Sequence, residues 1–168
     1  VFDGSPAASA ERVIAAREAL GPKIDLMCDA HGTFTVSEAK EFCHLVRDCG
    51  IAWFEEPLPA DDIVGHARLA AASPVPIAVG ESLYSPSQFA AYVQQGAASI
   101  LQVDVARIGG ITPWLKVAHL AETFNLAVCP HFLMELHVSL VCAIPNAPLL
   151  EYIPQLDRIT HSRLDLRE

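Results

Sequence analysis

No apolar run in this sequence approaches the roughly 20 residues that a membrane span needs, although 52% of its 168 residues are hydrophobic. Basic residues are scarce, with 11 Lys and Arg against 20 Asp and Glu and a formal net charge of -9. A chain so acidic is a poor match for nucleic acid or for an anionic membrane surface, so neither is expected as a partner. No C-x-x-C pair occurs among Cys28, Cys43, Cys49, Cys129 and Cys142. The odd count speaks against a disulfide framework, and Cys28, Cys129 and Cys142 lie in apolar segments. Reduced, buried thiols in a cytoplasmic protein are expected. There is no signal-peptide pattern. There is no initial Met either, and more chain is expected before Val1. No linker or low-complexity stretch divides the sequence, and its length suffices for one sizeable core.

What is present is an alternation of short apolar strands and helical patterns. Strands are expected at Ile24–Asp29, Ile51–Glu55, Ile77–Glu81, Ile100–Asp104, Leu126–Pro130 and Leu149–Glu151. Each is brief and apolar, as in a sheet covered on both faces. Helices are expected at Ala8–Leu20, from Thr35 through Cys49, at Asp62–Ala72, from Ser85 to Gly96, at Thr112–Phe124 and at about Leu136–Ile144. Thr35 with Glu38, and Ser85 with Gln88, read as capping boxes. Such βα units give parallel strands with right-handed crossovers. A dinucleotide-binding sheet should offer G-x-G-x-x-G after its first strand, and the sequence has only the pair Gly109-Gly110.

Polar residues favour a barrel over an open sheet. Asp29, Glu55, Glu81, Asp104, His131 and Glu151 each end an expected strand, at intervals of about one βα unit. Barrels of this kind build active sites at the C-terminal ends of their strands. A single strand-end acid is usually a solvated loop residue or a helix cap. Six polar groups in phase are harder to read that way. The carboxylates Asp29, Glu55 and Glu81 make a hard oxygen set suited to Mg²⁺. Asp104 and His131 end adjacent strands, where a carboxylate can fix the imidazole tautomer and leave the other nitrogen as acid or base. His31, two residues after Asp29, could touch substrate or cap a turn. Glu56 follows Glu55 as a supporting, solvated or ion-paired residue. His44, His66, His119, His137 and His161 fall on helices or the tail and read as structural.

The motifs "MCDAHG", "WFEEPLP", "VGES", "VDVARIGGIT", "CPHF" and "LLEY" together resemble the enolase superfamily, in particular its mandelate racemase subgroup with its acid-sugar dehydratases. The resemblance covers essentially the whole sequence. It implies an α/β fold, a modified TIM barrel of the (β/α)7β type, with residues 1–168 as part of the C-terminal barrel domain. The first barrel strands and the N-terminal capping domain would lie outside this chain. By the same resemblance Asp29, Glu55 and Glu81 match Mg²⁺ ligands, and Asp104 and His131 match a catalytic dyad. Glu151 matches the acid that hydrogen-bonds the substrate carboxylate as it becomes an enediolate. The family's Lys-x-Lys pair would precede Val1, since Lys23, Lys40 and Lys116 are not at strand ends. His31 stands where many relatives have Asn.

The implied reaction is abstraction of the proton α to a carboxylate, then loss of a β-hydroxyl to give a 2-keto-3-deoxy acid. His131 could be the base or the acid. Racemisation of a 2-hydroxy acid on the same scaffold, and a non-catalytic relative, are the alternatives. A metal-dependent hydrolase would want H-x-H on its first strand, and a Schiff-base aldolase a strand-end Lys; neither occurs. The expected partners are an acid-sugar substrate and further copies of the chain.

Overall fold

A computed structural model describes residues 4–154. They fall into two compact units, residues 4–79 with 91–100, and residues 80–90 with 101–154.

The first unit opens with α1 (Pro6–Leu20), where Ser5 accepts the Ala8 N–H and Pro6 fills the first turn. At its other end Arg17 fans out over backbone carbonyls. It donates to Gly21 at 2.8 Å, Ile24 at 2.7 Å, Cys49 at 2.6 Å and Gly50 at 3.1 Å. Carbonyls left open by helix and turn ends thus find a fixed cation. Strand β1 (Leu26–Asp29) runs parallel to β2 (Ile51–Glu55), with Asp29 opposite Glu55. Between them α2 (Val36–Leu45) carries both halves of the expected Thr35–Glu38 capping box.

That helix does not continue through Cys49 as expected. The Val46 N–H still bonds Phe42, but the Cys49 N–H reaches back only to Val46, in a tighter 3₁₀ turn at Arg47–Cys49. Gly50 then takes φ 60 to start β2. Phe42 and Phe54 pack with tilted rings 4.6 Å between centroids, with Phe34 about 6 Å from each, all buried. This aromatic knot holds α2 on the strands. Helix α3 (Ile63–Ala70), capped by Asp62, leads to β3 (Ile77–Val79), which pairs parallel with β2. The Ser99 N–H bonds the Ile77 carbonyl and brings in β4 (Ile100–Leu101).

In the second unit Leu101 receives the Cys129 N–H, which sets β5 (Ala127–Val128) beside the end of β4. Helix α4 (Pro86–Gln94) begins here and passes into the first unit at Ala91. Ser85 caps it, and the Gln88 side chain takes the N–H of Tyr84. Helix α5 (Ile111–Thr123) buries Trp114, whose indole N–H donates to the Val103 carbonyl, and α6 (Met134–Val141) follows β5.

Three expectations need correction. Strands β3, β4 and β5 stop early, so Glu81, Asp104 and His131 lie in loops past them. A Cβ on Gly80 would come within 2.5 Å of the Gln102 backbone; the two segments cross too closely to continue side by side. Leu149–Glu151 is not a strand; Pro148 and Pro154 bracket it and remove ladder donors. Cys142 is exposed, unlike the other four buried thiols, and stands at the C-terminal end of α6. His161 lies outside the described residues. Among the described residues no helix is long and apolar enough to cross a membrane.

Candidate active site

In the first unit the ladder sets Asp29 and Glu55 side by side at the C-terminal ends of β1 and β2. The Asp29 carboxylate accepts the His31 N–H at 2.9 Å, and the Trp53 indole N–H reaches Glu55 at 3.3 Å. His31 is exposed, whereas Glu56 is buried, only 5% exposed. Burial removes the solvated reading of Glu56.

The second unit assembles two carboxylates, a guanidinium and an imidazole into a ring. The His131 Nδ1 lies 2.9 Å from Asp104 Oδ2, and its Nε2 lies 3.3 Å from Glu81 Oε2. Arg107 faces the same two acids, 3.5 Å from Glu81 Oε1 and 3.8 Å from Asp104 Oδ2. Its shortest contact, 2.7 Å, is to the Glu81 backbone carbonyl. Both carboxylates are almost fully buried, and His131 is only 13% exposed.

Asp104 is held on its other oxygen. Oδ1 accepts the N–H of Ala106 at 2.8 Å and of Arg107 at 3.1 Å. Burial by itself would raise its pKa. The hydrogen bonds from the Arg107 N–H, the His131 ring and the Ala106 N–H outweigh that and hold it below the usual carboxylate value. Asp104 is therefore a fixed anion, and His131 keeps its Nδ1–H towards it. Nε2 is then the nitrogen left to exchange a proton. Only the imidazolium could donate to Asp104 and Glu81 together.

Glu151, although not on a strand, accepts the Phe132 N–H at 2.6 Å, next to His131. Of the residues singled out from sequence, the second unit thus brings together Glu81, Asp104 and His131, with Glu151 bonded to Phe132, the residue after His131. The first unit brings together Asp29, His31 and Glu55. Asp29, Glu55 and Glu81 offer oxygen donors alone, a set that fits a hard divalent cation and not a thiophilic one.

Two residues escaped the sequence reading, Trp53 and Arg107, which contact Glu55 and Glu81. Arg107 did leave a signal, a cation three residues after a strand-end acid in "VDVARIGG". Backbone strain also marks these loops. His31, Glu56, Phe132 and Leu133 all have positive φ without being glycine. His31 and Glu56 lie within two positions of the ends of β1 and β2, and Phe132 and Leu133 directly follow His131; such conformations persist only where the surroundings hold them.

Comparison with known proteins finds relatives across most of the chain. The sequence profile described as "Enolase C-terminal domain-like" matches residues 1–168. The chain is 40% identical to L-talarate/galactarate dehydratase of Salmonella typhimurium over 157 residues, 94% of this chain and 39% of that protein. It is 35% identical to D-galactonate dehydratase of Variovorax paradoxus over 124 residues, 74% of this chain and 32% of that one. Among solved structures, L-talarate dehydratase from Polaromonas sp. JS666, complexed with Mg and L-glucarate, has 40% identity and a TM-score of 0.91. That match covers 97% of this chain and 46% of the solved one. The chain thus spans less than half the length of these relatives.

Proposed function

The chain belongs to the enolase C-terminal domain-like family, and from that membership we propose that the full-length protein is a Mg²⁺-dependent acid-sugar dehydratase. The substrate is an aldarate or aldonate, and the product a 2-keto-3-deoxy acid. Residues 1–168 form part of its C-terminal barrel domain. The observation that carries this reading is the Asp104–His131 hydrogen bond of 2.9 Å beside the Glu81 carboxylate. The talarate, galactarate and galactonate dehydratases among its relatives support the same substrate class.

Asp29, Glu55 and Glu81 are the residues that would hold Mg²⁺. When bound, the ion supplies positive charge that stabilises the substrate carboxylate as its α-proton leaves. His131 moves a proton at Nε2, while Asp104 fixes the tautomer through Nδ1 and stabilises the charged ring. Arg107 balances the buried acids and pins the Glu81 backbone. Glu151 holds the Phe132 N–H and acts beside the substrate carboxylate. Glu56 supports the loop after β2 from a buried position, and His31 faces the substrate.

The test is incubation of the full-length protein with Mg²⁺ and a panel of aldarates and aldonates, assayed for 2-keto acid. Formation of 2-keto acid from at least one supports the reading. Inversion at the α-carbon without 2-keto acid would assign a racemase instead. Mg²⁺ binding with neither reaction would assign a non-catalytic relative.

A further inference from the structure

His137 is fully buried near the start of α6, and no step of the reaction above uses it. Its two ring nitrogens meet two loops. Nε2 accepts the N–H of Val105 at 3.1 Å. Nδ1 lies 2.6 Å from the carbonyl of Phe132. Val105 directly follows Asp104, and Phe132 directly follows His131. We propose that His137 is a positioning residue for the Asp104–His131 pair, holding the two loops that carry it through one hydrogen bond to each. This rests on the dehydratase reading, in which that pair moves the proton.

The partners determine the tautomer. A carbonyl can only accept, so Nδ1 carries the hydrogen. A backbone N–H can only donate, so Nε2 is bare. A buried imidazole with one nitrogen unpartnered would be costly; here both are satisfied by backbone groups. The ring is therefore a neutral, two-ended strut of fixed length. Its burial also lowers the pKa, which keeps it neutral.

Phe132 shows what the strut resists. Its φ is 59, a strained value for a residue with a side chain. Its N–H is held by Glu151 and its carbonyl by His137, both at 2.6 Å. Strain at Phe132 is thus fixed on both sides, and the direction of the His131 side chain with it. The other loop is fixed from the same side. Trp114 lies 6.1 Å from the His137 ring, and its indole N–H donates to the Val103 carbonyl. A displacement of about 1 Å in a reacting group can cost on the order of 10² in rate, so a strut between the dyad loops acts on turnover more than on binding.

The experiment compares His137→Gln and His137→Met in the full-length enzyme. Gln offers one donor and one acceptor; Met fills the space with neither. The expected result for His137→Met is a kcat about 10- to 100-fold lower. KM and Mg²⁺ affinity by calorimetry should change little, because the expected ligands are elsewhere. His137→Gln should recover most of the lost kcat. Nitrogen NMR of the ¹⁵N-histidine-labelled wild type should show His137 neutral with hydrogen on Nδ1. The proposal is overturned if His137→Met keeps wild-type kcat, or if both variants lose kcat and melting temperature equally. It is also overturned if NMR finds hydrogen on Nε2, a result that needs no variant to fold. A wild type that dehydrates no acid sugar counts against the dehydratase reading instead, and the tautomer is still read.

Discussion

Replacing Asp104 by Asn changes one atom and reverses the hydrogen-bond logic of the dyad. The amide oxygen can take the place of Oδ1 and keep the Ala106 and Arg107 N–H bonds, now 2.8 and 3.1 Å. The amide NH₂ is then forced to face His131 Nδ1, 2.9 Å from the present Oδ2. Two donors cannot share that contact. Nδ1 must become the acceptor, and the ring hydrogen moves to Nε2, the nitrogen that has to exchange a proton. The lost carboxylate–imidazole bond is charge-assisted and contributes about 1.5–3 kcal/mol net of solvation. The replacement bond offsets part of it, so stability should fall by only about 1 kcal/mol. Rate should fall far more, by roughly 10² to 10⁴, the usual contribution of a general acid or base. At about 1.4 kcal/mol per decade that is roughly 3–5 kcal/mol of barrier. Single-turnover dehydration by the full-length enzyme reads the rate, and calorimetry reads Mg²⁺ affinity, which should hold. A variant that keeps its rate would refute the reasoning. So would one that loses Mg²⁺ as fully as a Glu81→Gln variant, since Asp104 would then be acting at the metal.

Other expectations follow from single contacts. Gly80→Ala would push a methyl to 2.5 Å from the Gln102 backbone; overpacking against backbone should cost at the top of the ~1–3 kcal/mol range, and an unchanged melting temperature would refute it. Arg107→Met removes the 2.7 Å bond to the Glu81 carbonyl; calorimetry should show weaker Mg²⁺ binding, restored in part by Arg107→Lys, and wild-type affinity in the Met variant would count against the clamp. Asp104 contributes stability above its ordinary carboxylate pKa, because its folded pKa is lowered. That contribution is lost only as pH falls below about 4 and through the lowered value. In acid-unfolding curves Asp104→Asn should therefore lie closest to wild type at the lowest pH, and a gap that widens there would contradict the sign.

Much of this could be read from residue order. Strand β2 ends at Glu55 as its apolar run dictates, and the register sets Asp29 beside it, as the equal strand spacing required. The Thr35–Glu38 box forms as written. Asp104 and His131 do meet, as their places after successive strands suggested, although both lie in loops beyond the strand ends. What could not be read depends on contacts between distant segments. The crossing of Gly80 and Gln102 shortens two strands, and nothing local to either sequence announces it. His137 looked like one more helical histidine, because its two partners are backbone groups 32 and 5 residues away. Leu149–Glu151 has the apolar composition of a strand, and only the flanking prolines warned that it would not pair.

The central claim is that His131 moves the substrate proton. The measurement that tests it most directly follows one turnover of an acid-sugar substrate in deuterated water by wild type and by His131→Asn, full-length and Mg²⁺-loaded. Both 2-keto acid formation and deuterium uptake at the α-carbon are recorded. The account predicts that wild type forms 2-keto acid and that His131→Asn loses it by at least about 10², with Mg²⁺ still bound. Loss of dehydration with α-exchange intact would make His131 the acid for the departing hydroxyl. Wild-type rates of both processes in His131→Asn would contradict the claim.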